Sequence, residues 1–319
     1  EEIAERFIKS KKDLVIDIGG NDGVLLENIQ KLCTILNIEP AKNIAKISSD
    51  KGIKTITEFF STKLAQKILK EYGYASVITA NNVLAHTDPI KDVFEGIKLL
   101  MGKTGVLIFE VQWVKSLIGD GGFDVVYHEH LSFYSLHALK YLLNSLGLEI
   151  FDVKIVPTQG ESLRVYASQD KSRIVLPSVL KILREEVAMG ITNKKTFLGF
   201  SRKVAAGKQK LIKLLAKLKK EGKKIVGYGA PAKGNTLLNY YGIDGSTLNY
   251  ITDTTPLKQG LYTPGTHIPI LSPDKLRDDN IDYILLLSWN FTDAILEKEK
   301  HLRAAGVKFI LPFPKVRIV

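Results

Sequence analysis

Short apolar segments alternate with segments of helical period along the first half of the chain, and this alternation restricts its fold more than any other feature. The strand-like runs are DLVIDIG (13–19), TILNIEP (34–40), IKTITEFF (53–60), ASVITANNVL (75–84) and GVLIFEVQW (105–113). Helix-like residues separate these runs, which predicts a parallel sheet with helices on both faces. Residues 149–157 and 162–168 follow each other closely enough to form an antiparallel hairpin. The hairpin makes the predicted sheet mixed.

A basic segment separates this block from a second one. Residues 194–224 contain twelve Lys or Arg and one acid, and an apolar stripe at helical spacing runs through them. A helix with a solvated basic face explains this pattern better than a nucleic-acid surface, because no interleaved aromatic platform accompanies the charges. The strand-like runs after the helix are KKIVGYGA (223–230), LNYITD (248–253), YILLLSW (283–289) and KFILP (308–312). We therefore expect a domain at 1–170, a helical linker at 171–222 and a smaller α/β domain at 223–319.

Composition limits the class of protein. The 319 residues are enough for two cores, and 45% hydrophobic with 25% charged residues is typical of a globular protein. No apolar run reaches the ~18 residues of a membrane span. The one cysteine, Cys33, excludes a disulfide framework and a cysteine-rich zinc site within these residues, and it favours a cytoplasmic location. A net charge of +11 suggests an anionic partner. The oligomeric state stays open.

A glycine-rich turn follows the first strand, in LVIDIGGNDGVLLENI. Glycines there let the backbone turn tightly and approach a ligand, and the carboxyl ends of the strands are where doubly wound sheets bind ligands. The next strand ends in Glu39, which is placed to accept hydrogen bonds from ribose hydroxyls. The spacing differs from the dinucleotide fingerprint and looks like the first motif of S-adenosylmethionine-dependent methyltransferases; a purely structural turn is the alternative. The predicted cofactor-binding residues are Asp17, Gly19, Gly20, Asn21, Gly23, Glu39, Phe59 and Asn81.

Histidines concentrate in VVYHEHLSFYSLHAL, residues 125–139, which hold three of the six in the chain. A metal site would need His128 and His130 on one face together with further ligands, and no convincing third ligand is present. A satisfied polar loop is a second interpretation. Acid–base chemistry is the third and the favoured one, because His and Glu beside Tyr supply a base, an orienting carboxylate and a hydrogen-bond donor. No metal is expected.

A second glycine turn, GYGAPAKGNTLLNYYG (227–242), also lies between a strand and a helix. Its backbone N–H groups and Lys233 suit a diphosphate. Asp253 ends the next strand, so a redox dinucleotide would compete for the same place. A binding role and a scaffold role are equally compatible with this pattern.

These motifs together resemble the C-methyltransferase family that acts on nucleotide-linked deoxysugars. IDIGGNDG is similar to its cofactor loop. NNVLAH (81–86), YHEHLSFYS (127–135) and GESLRVYAS (160–168) are similar to its central domain. GYGAPAKGNTLLNYYGI, ITDTTPLKQGLYTPGTHIPILSP and LLLSWNF are similar to its C-terminal domain. The resemblance covers nearly all of the chain and implies a class I methyltransferase domain of Rossmann-like fold, followed by a smaller Rossmann-like domain.

The chain departs from the family pattern in three places. The small cysteine-rich zinc domain that normally begins these proteins is not present. Gly20 stands where relatives more often have serine, and Glu161 replaces the second glycine of a G-G-S-x-R stretch. The missing zinc domain puts the activity of these residues alone in question.

The resemblance implies roles for particular residues. His130, which ends Y-x-E-H, would be the base, Glu129 would orient it, and Tyr127 or His86 would bind the developing enolate oxygen. The implied reaction moves a methyl group from S-adenosylmethionine to carbon 3 of a nucleoside-diphosphate 4-keto-deoxysugar, with carbon 5 as an alternative. Competing hypotheses are an NAD-dependent nucleotide-sugar oxidoreductase and a non-catalytic nucleotide-sugar binding protein. We expect the diphosphate in the cleft between the two domains, and its predicted ligands are Lys233, Arg164, Asn235 and Asn290.

Overall fold

The computed structural model describes residues 2–169 and 172–319. These residues form two compact units. The first comprises Glu1–Lys115 and Leu131–Thr192, and the second comprises Ser116–His130 and Asn193–Val319. Among the described residues, no helix is both long and apolar enough to cross a membrane.

The first unit is built on a sheet that, in the part of the chain described, has seven strands in the order β3-β2-β1-β4-β5-β7-β6. Strands β1 to β5 are parallel, whereas β7 pairs antiparallel with both β5 and β6. The predicted mixed sheet with a closing hairpin is confirmed. The strands are β1 (Leu14–Ile18), β2 (Thr34–Ile38), β3 (Thr55–Ile56), β4 (Val77–Asn81), β5 (Val106–Gln112), β6 (Leu148–Val156) and β7 (Ser162–Gln169).

Helices cover both faces of this sheet, because the buried strands are apolar on both sides. One face packs around Phe94, Phe109 and Trp113, and the other packs around Phe7, Phe151 and Tyr166. The helices are α1 (Glu2–Phe7), α2 (Val24–Glu27), α3 (Lys42–Asp50), α4 (Thr62–Tyr72), α5 (Ile90–Met101), α6 (Val114–Asp120), α7 (Leu136–Ser145) and α8 (Pro177–Met189). Helix α6 begins in the first unit and ends in the second.

The second unit has a smaller sheet, with strands in the order β10-β9-β8-β11-β12-β13 over the residues described. All neighbours are parallel except β13, which is antiparallel to β12. The strands are β8 (Ile225–Tyr228), β9 (Ile251–Thr252), β10 (Ile270–Leu271), β11 (Tyr283–Leu286), β12 (Lys308–Leu311) and β13 (Arg317–Ile318). The helices are α9 (Lys194–Lys220), α10 (Ala232–Tyr241), α11 (Lys275–Asp278), α12 (Thr292–Lys298) and α13 (Lys300–Ala304).

Helix α9 is the predicted basic helix, and its apolar stripe is buried in the second unit at Val204, Leu211, Leu215 and Leu218. The expected linker at 171–222 is therefore wrong: α8 belongs to the first unit and α9 is part of the second core. The expected continuity of residues 1–170 is wrong as well. Residues 116–130 pack with the second unit because Phe123 is buried there, between Tyr241 and Phe313.

Candidate active site

The first glycine turn begins at a buried carboxyl group. Asp17 lies near the end of strand β1 and accepts a hydrogen bond from the Thr79 hydroxyl at 2.6 Å. Burial raises the pKa of Asp17 to about 6, and the nearby Glu39 carboxylate adds to that rise. The Asp17 side chain is therefore buried against the glycine turn.

The glycines of this turn are required by the space around them. Gly19 has a φ of +64°, a conformation that L side chains rarely adopt. A Cβ at Gly20 would lie 2.7 Å from Asp17 Oδ2 and closer still to Asn37 Oδ1. A serine at Gly20, as in relatives, would therefore need Asn37 to move.

Asn37 is a site residue that sequence reasoning missed. It is fully buried on strand β2, and its Nδ2 donates to the Asn21 carbonyl at 3.1 Å and to Ser48 Oγ at 2.9 Å. Its Oδ1 is buried without a hydrogen-bond partner among the described residues. The signal that could have identified it is an asparagine within an otherwise apolar strand, directly before the strand end that carries Glu39.

Glu39 ties the glycine turn to the end of β2. Its Oε2 accepts from the Asn21 amide at 3.1 Å, and its Oε1 accepts from the Ala41 amide at 2.9 Å. A carboxylate can accept about four hydrogen bonds, so both oxygens keep lone pairs for a ligand. Asn21 and Asn82, which follow β1 and β4, both have positive φ values of +53° and +57°. Left-handed asparagines at neighbouring strand ends are typical of binding sites.

The two remaining cofactor candidates lie at the ends of β3 and β4. Phe59 is 81% exposed, so its ring is available to stack on a ligand but contributes little to the core. Asn81 ends β4 and lines a cavity of about 590 Å³ with Asn28, Glu110 and Arg164. All eight predicted cofactor residues therefore lie at or just beyond the carboxyl ends of β1 to β4.

These residues fit S-adenosylmethionine. The ribose offers two hydroxyl donors and the methionine part offers an ammonium group, so acceptors are needed at the carboxyl edge of the sheet. Glu39 and the unpartnered Asn37 Oδ1 are such acceptors. The Val83, Asn37 and Asp17 side chains pack closely against Gly19 and Gly20, so only glycine lets the backbone turn tightly at this place.

Arg164 lies in the first unit and is already paired. Its Nε donates to Glu110 at 2.7 Å, and its side chain also lies 3.8 Å from Glu2. Although burial opposes it, hydrogen bonding to Glu110 raises the pKa of this guanidinium. The charge predicted to bind a diphosphate is thus largely neutralised within the unit.

The predicted base, His130, is held by a backbone carbonyl. Its Nδ1 lies 2.8 Å from the Val125 oxygen, and its Nε2 lies 3.3 Å from the Tyr127 hydroxyl. A carbonyl can only accept, so Nδ1 carries the proton and Nε2 has the lone pair in the neutral imidazole. The rings of Tyr127 and His130 also contact each other, with centroids 4.4 Å apart. Nε2 is therefore the basic atom, and Tyr127 is its hydrogen-bond donor.

The expected role of Glu129 needs correction. Glu129 is exposed, and the Val125 carbonyl is the group that accepts the hydrogen bond from His130 Nδ1. The His130 amide donates to the Tyr127 carbonyl at 2.9 Å, so the backbone bends tightly at Glu129. Burial and the charges of Glu129 and Asp124 raise the pKa of Tyr127, which keeps its hydroxyl protonated at neutral pH.

The other histidines of this stretch have different surroundings. His128 is exposed. His137 Nδ1 lies 2.6 Å from Glu186, a buried carboxylate that also accepts from the Trp113 indole, so His137 has a structural role at the start of α7. Within the described ranges, no group of three or more His, Cys, Asp or Glu side chains could hold a metal ion.

His86 ends a short 3-10 turn after β4 in the first unit. The carbonyl of Ala85, the residue before it, accepts hydrogen bonds from the amides of Leu131 at 2.8 Å and Ser132 at 3.3 Å. Those two residues directly follow His130 in the chain, so the segment that leaves the histidine motif is anchored beside the His86 turn.

The second glycine turn gathers a polar cluster at the ends of β8 and β11. The Lys233 ammonium donates to Asn290 and lies 5.1 Å from the centre of the Trp289 ring. Strand order reverses between β8 and β11, which is the place where open α/β sheets bind ligands. Burial lowers the pKa of Lys233, and the Asp124 carboxylate counteracts that effect. Asn235 lies two residues further along α10, and its Oδ1 is buried without a partner among the described residues.

Asp253 is the acid that follows this turn, and both of its carboxylate oxygens have partners within the protein. Its oxygens accept from the amides of Ala230 at 2.7 Å and Thr255 at 2.8 Å, and the Lys258 ammonium lies 3.3 Å away. Lys258 also donates to the Ala230 carbonyl at 3.0 Å. The positive charge of Lys258 makes Asp253 a weaker acceptor for the hydroxyls of a dinucleotide ribose.

The sheet order, the glycine turn and the acid after β2 define a class I S-adenosylmethionine-dependent methyltransferase. Among solved structures, magnesium protoporphyrin IX methyltransferase of Synechocystis PCC 6803 with bound SAM is similar, with a TM-score of 0.39 and 14% identity over 53% of this chain and 74% of that one. The Haloferax volcanii Trm112 activator–putative methyltransferase complex gives a TM-score of 0.43 and 9% identity over 53% and 88%.

Sequence comparison is more specific. Residues 1–153 match a methyltransferase domain, and residues 157–314 match a C-methyltransferase C-terminal domain. C-methyltransferase NovU of Streptomyces niveus is 33% identical over 317 residues, which are 99% of this chain and 76% of that protein. The chain belongs to the C-methyltransferase family, and it is an S-adenosylmethionine-dependent enzyme that methylates carbon.

Proposed function

We propose that the acceptor is a nucleoside-diphosphate 4-keto-deoxysugar and that carbon 3 receives the methyl group. The observation that carries the proposal is the imidazole of His130, whose Nδ1 lies 2.8 Å from the Val125 carbonyl and whose Nε2 is therefore basic. Methylation of carbon needs a carbon nucleophile, and a C–H group next to a ketone can be made into one by removal of a proton. A histidine held in one tautomer suits that step.

In the proposed reaction, His130 Nε2 removes the proton from carbon 3. The electron pair of that C–H bond forms the enolate, whose oxygen accepts a hydrogen bond from Tyr127 or His86. S-adenosylmethionine, when bound, supplies an electrophilic methyl group. The new carbon–carbon bond would form as the ketone is restored and the sulfur–methyl bond breaks, with S-adenosylhomocysteine as the leaving group. The proton would remain on His130 until it is released to solvent. The Tyr127 hydroxyl has one proton, so it must turn away from His130 Nε2 to donate to the enolate oxygen, and its raised pKa keeps that proton in place.

Lys233, Asn290 and Asn235 are the proposed ligands of the substrate diphosphate. Lys233 and Asn290 contact each other at the point where strand order reverses, and α10 begins there with free backbone amides. Arg164 is the weaker candidate, because it would have to share its guanidinium with Glu110.

Substitution of His130 tests the proposed base. His130→Gln should lower turnover by about 10²–10⁴ and abolish deuterium exchange at carbon 3 of the substrate in D₂O. S-adenosylhomocysteine affinity should be unchanged, and product NMR assigns the methylated carbon. His128→Gln is the matched control, since His128 is an exposed neighbour and its loss should leave turnover near normal. Turnover close to wild type in folded His130→Gln would contradict the role of base.

Calorimetry with a nucleoside diphosphate tests the binding role of the second glycine turn. Lys233→Ala should weaken this binding by about 1–3 kcal/mol, the loss expected for a charge-assisted contact, and leave S-adenosylhomocysteine binding unchanged. Equal affinities for wild type and variant would show that the diphosphate binds elsewhere.

Two competing functions make different predictions. An NAD-dependent oxidoreductase should be stabilised against heat by NAD(H), although the Lys258–Asp253 ion pair makes Asp253 a weaker acceptor for a ribose hydroxyl. A non-catalytic nucleotide-sugar binding protein should bind both ligands without deuterium exchange at carbon 3. Exchange in wild type and its loss in His130→Gln would exclude both.

A further inference from the structure

The loop that carries His130 is fixed to the second unit by a buried acid, Asp124. Asp124 is fully buried, and its Oδ2 accepts a hydrogen bond from the Trp289 indole at 2.7 Å. Its other oxygen, Oδ1, has no hydrogen-bond partner among the residues described. Burial raises the pKa of Asp124 to about 6, and the Trp289 hydrogen bond, the Lys233 charge and the backbone N–H groups of Asp124 and Val125 oppose that rise. Placing a carboxylate in a buried position is costly even with these partners, so Asp124 points to a role beyond packing.

The residues on either side of Asp124 are held equally closely. The Phe123 ring stacks on Tyr241 with centroids 5.2 Å apart and contacts Phe313 edge-on at 5.9 Å. A Cβ at Gly122 would lie 2.9 Å from the Trp289 ring, so only glycine lets the backbone approach the indole. The chain therefore enters the His130 segment at a fixed position against Trp289.

Val125 follows Asp124 directly, and its carbonyl is the acceptor for His130 Nδ1. The Val125 carbonyl belongs to the peptide unit between Val125 and Val126, one residue beyond Asp124, and it also accepts from the Tyr127 amide at 3.2 Å. A 3-10 turn over Phe123–Val125 constrains the backbone that leads to this carbonyl. In water, free histidine favours the tautomer with its proton on Nε2. The Val125 carbonyl imposes the opposite tautomer, and Nε2 becomes the base only while that carbonyl stays in place.

We infer that Asp124, through its hydrogen bond to Trp289, is a positioning residue that holds His130 in the tautomer needed for proton removal. Asp124 does not touch the imidazole; it acts through the Val125 carbonyl. This inference deepens the proposed function, since it concerns the same base, but its central measurement needs neither methyl donor nor substrate.

The competing explanation is that the Asp124–Trp289 hydrogen bond serves only the stability of the second unit. Stability alone would not change the proton position on a histidine in a variant that remains folded. The tautomer of His130 therefore separates the two roles.

Side-chain NMR of protein labelled with ¹⁵N-histidine measures the tautomer directly. At about pH 8.5, well above the ordinary pKa of histidine, all imidazoles are neutral and the two ring nitrogens differ in chemical shift. His130→Gln identifies the His130 signals. We expect wild-type His130 to carry its proton on Nδ1.

Trp289→Phe removes the indole donor but keeps an aromatic ring, and Asp124→Ala removes the acceptor. In both variants the ratio of Nδ1–H to Nε2–H should fall at least about fivefold.

Two further variants sharpen the test. Asp124→Asn keeps an oxygen that can accept from Trp289, so it should restore the wild-type ratio if the hydrogen bond matters. Trp113→Phe removes a comparable 2.7 Å indole–carboxylate bond in the first unit, to Glu186, and should leave His130 unchanged. Circular dichroism shows which variants are folded.

A wild-type tautomer ratio in folded Trp289→Phe or folded Asp124→Ala would overturn the inference. If one of these variants does not fold, the other decides. The outcome is distinguishable from a failure of the proposed function: normal turnover in His130→Gln would remove the base while leaving the tautomer result standing, and an unchanged tautomer would remove the positioning role while leaving the base.

Discussion

The two units each place an acid at the end of the strand that follows a glycine turn, and the two acids are held in nearly the same way. Glu39 accepts one amide hydrogen bond from its glycine turn, at Asn21, and one from the residue after the strand, at Ala41. Asp253 accepts one from its own glycine turn, at Ala230, and one from Thr255. The difference is a cation. Lys258 lies on Asp253, whereas only amide donors from the described residues contact Glu39.

The comparison shows that a glycine turn followed by an acid does not by itself identify a cofactor site. Both turns allow the backbone to approach a ligand, and both acids keep lone pairs after the amides are satisfied. Lys258 forms an ion pair with Asp253, which makes Asp253 a weaker acceptor for a ribose hydroxyl than Glu39. We therefore expect the cofactor to bind beside Glu39.

The largest expected effect comes from removing Glu39. Glu39→Ala should weaken S-adenosylhomocysteine binding by about 10–100-fold, because hydrogen bonds to a charged acceptor contribute roughly 1.5–3 kcal/mol. Calorimetry measures it. Asp253→Asn is the matched control in the second unit and should leave the affinity within about twofold. A similar loss from both variants would mean that the two acids do not differ as the structure indicates.

The pH dependence of stability should have opposite signs at the two turns. Burial raises the pKa of Asp17 to about 6, so its folded state binds a proton more tightly than the unfolded chain does. Its favourable contribution is then complete below the ordinary pKa of an aspartate and is lost as pH rises through about 6. Asp17→Asn can still accept a hydrogen bond from Thr79. The stability of this variant minus that of wild type should be about 1–3 kcal/mol greater at pH 7 than at pH 4.

Asp253 should behave in the reverse sense. Although burial opposes it, the amides of Ala230 and Thr255 and the Lys258 charge lower its pKa in the folded state. That contribution is present above the ordinary pKa of an aspartate and is lost as pH falls through the lower, folded-state value. Urea unfolding at pH 7 and pH 4 measures the slope for Asp17→Asn, and unfolding at pH 4 and about pH 2.5, below the ordinary pKa of an aspartate, measures it for Asp253→Asn. Slopes of the same sign would contradict the contrast between the two acids.

The smallest effect is expected from Lys258. Lys258→Met removes a half-exposed ion pair with Asp253, so the free energy of unfolding should fall by no more than about 1 kcal/mol. Thermal denaturation with and without NAD(H) measures both stability and any new affinity. Protection of Lys258→Met by NAD(H), in the absence of protection for wild type, would show that this one lysine separates the two turns in function.

Much of the fold follows from local patterns. The alternation of apolar and helical segments predicted the central strands of both sheets, and glycine with an acid at strand ends predicted the cofactor edge, because strand direction places those ends together. Strand β3 is shorter than predicted, only Thr55–Ile56, since it lies at the sheet edge and the apolar run continues into the exposed Phe59. The short strands β10 and β13 were not predicted, since two residues carry no periodicity.

The sequence by itself determined the two α/β sheets, the glycine turns and the chemistry available near His130, since these depend on residue types at short spacing. Only the tertiary structure decided that residues 116–130 pack with the second unit. It also decided that the Val125 carbonyl, rather than Glu129, accepts the hydrogen bond from His130 Nδ1, and that Lys258 contacts Asp253. Asp124 and Trp289 are 165 residues apart, and a hydrogen bond across that separation leaves no local signature. The side chains that hold the base in place are fixed by packing between distant segments, which short-range patterns in a single sequence do not record.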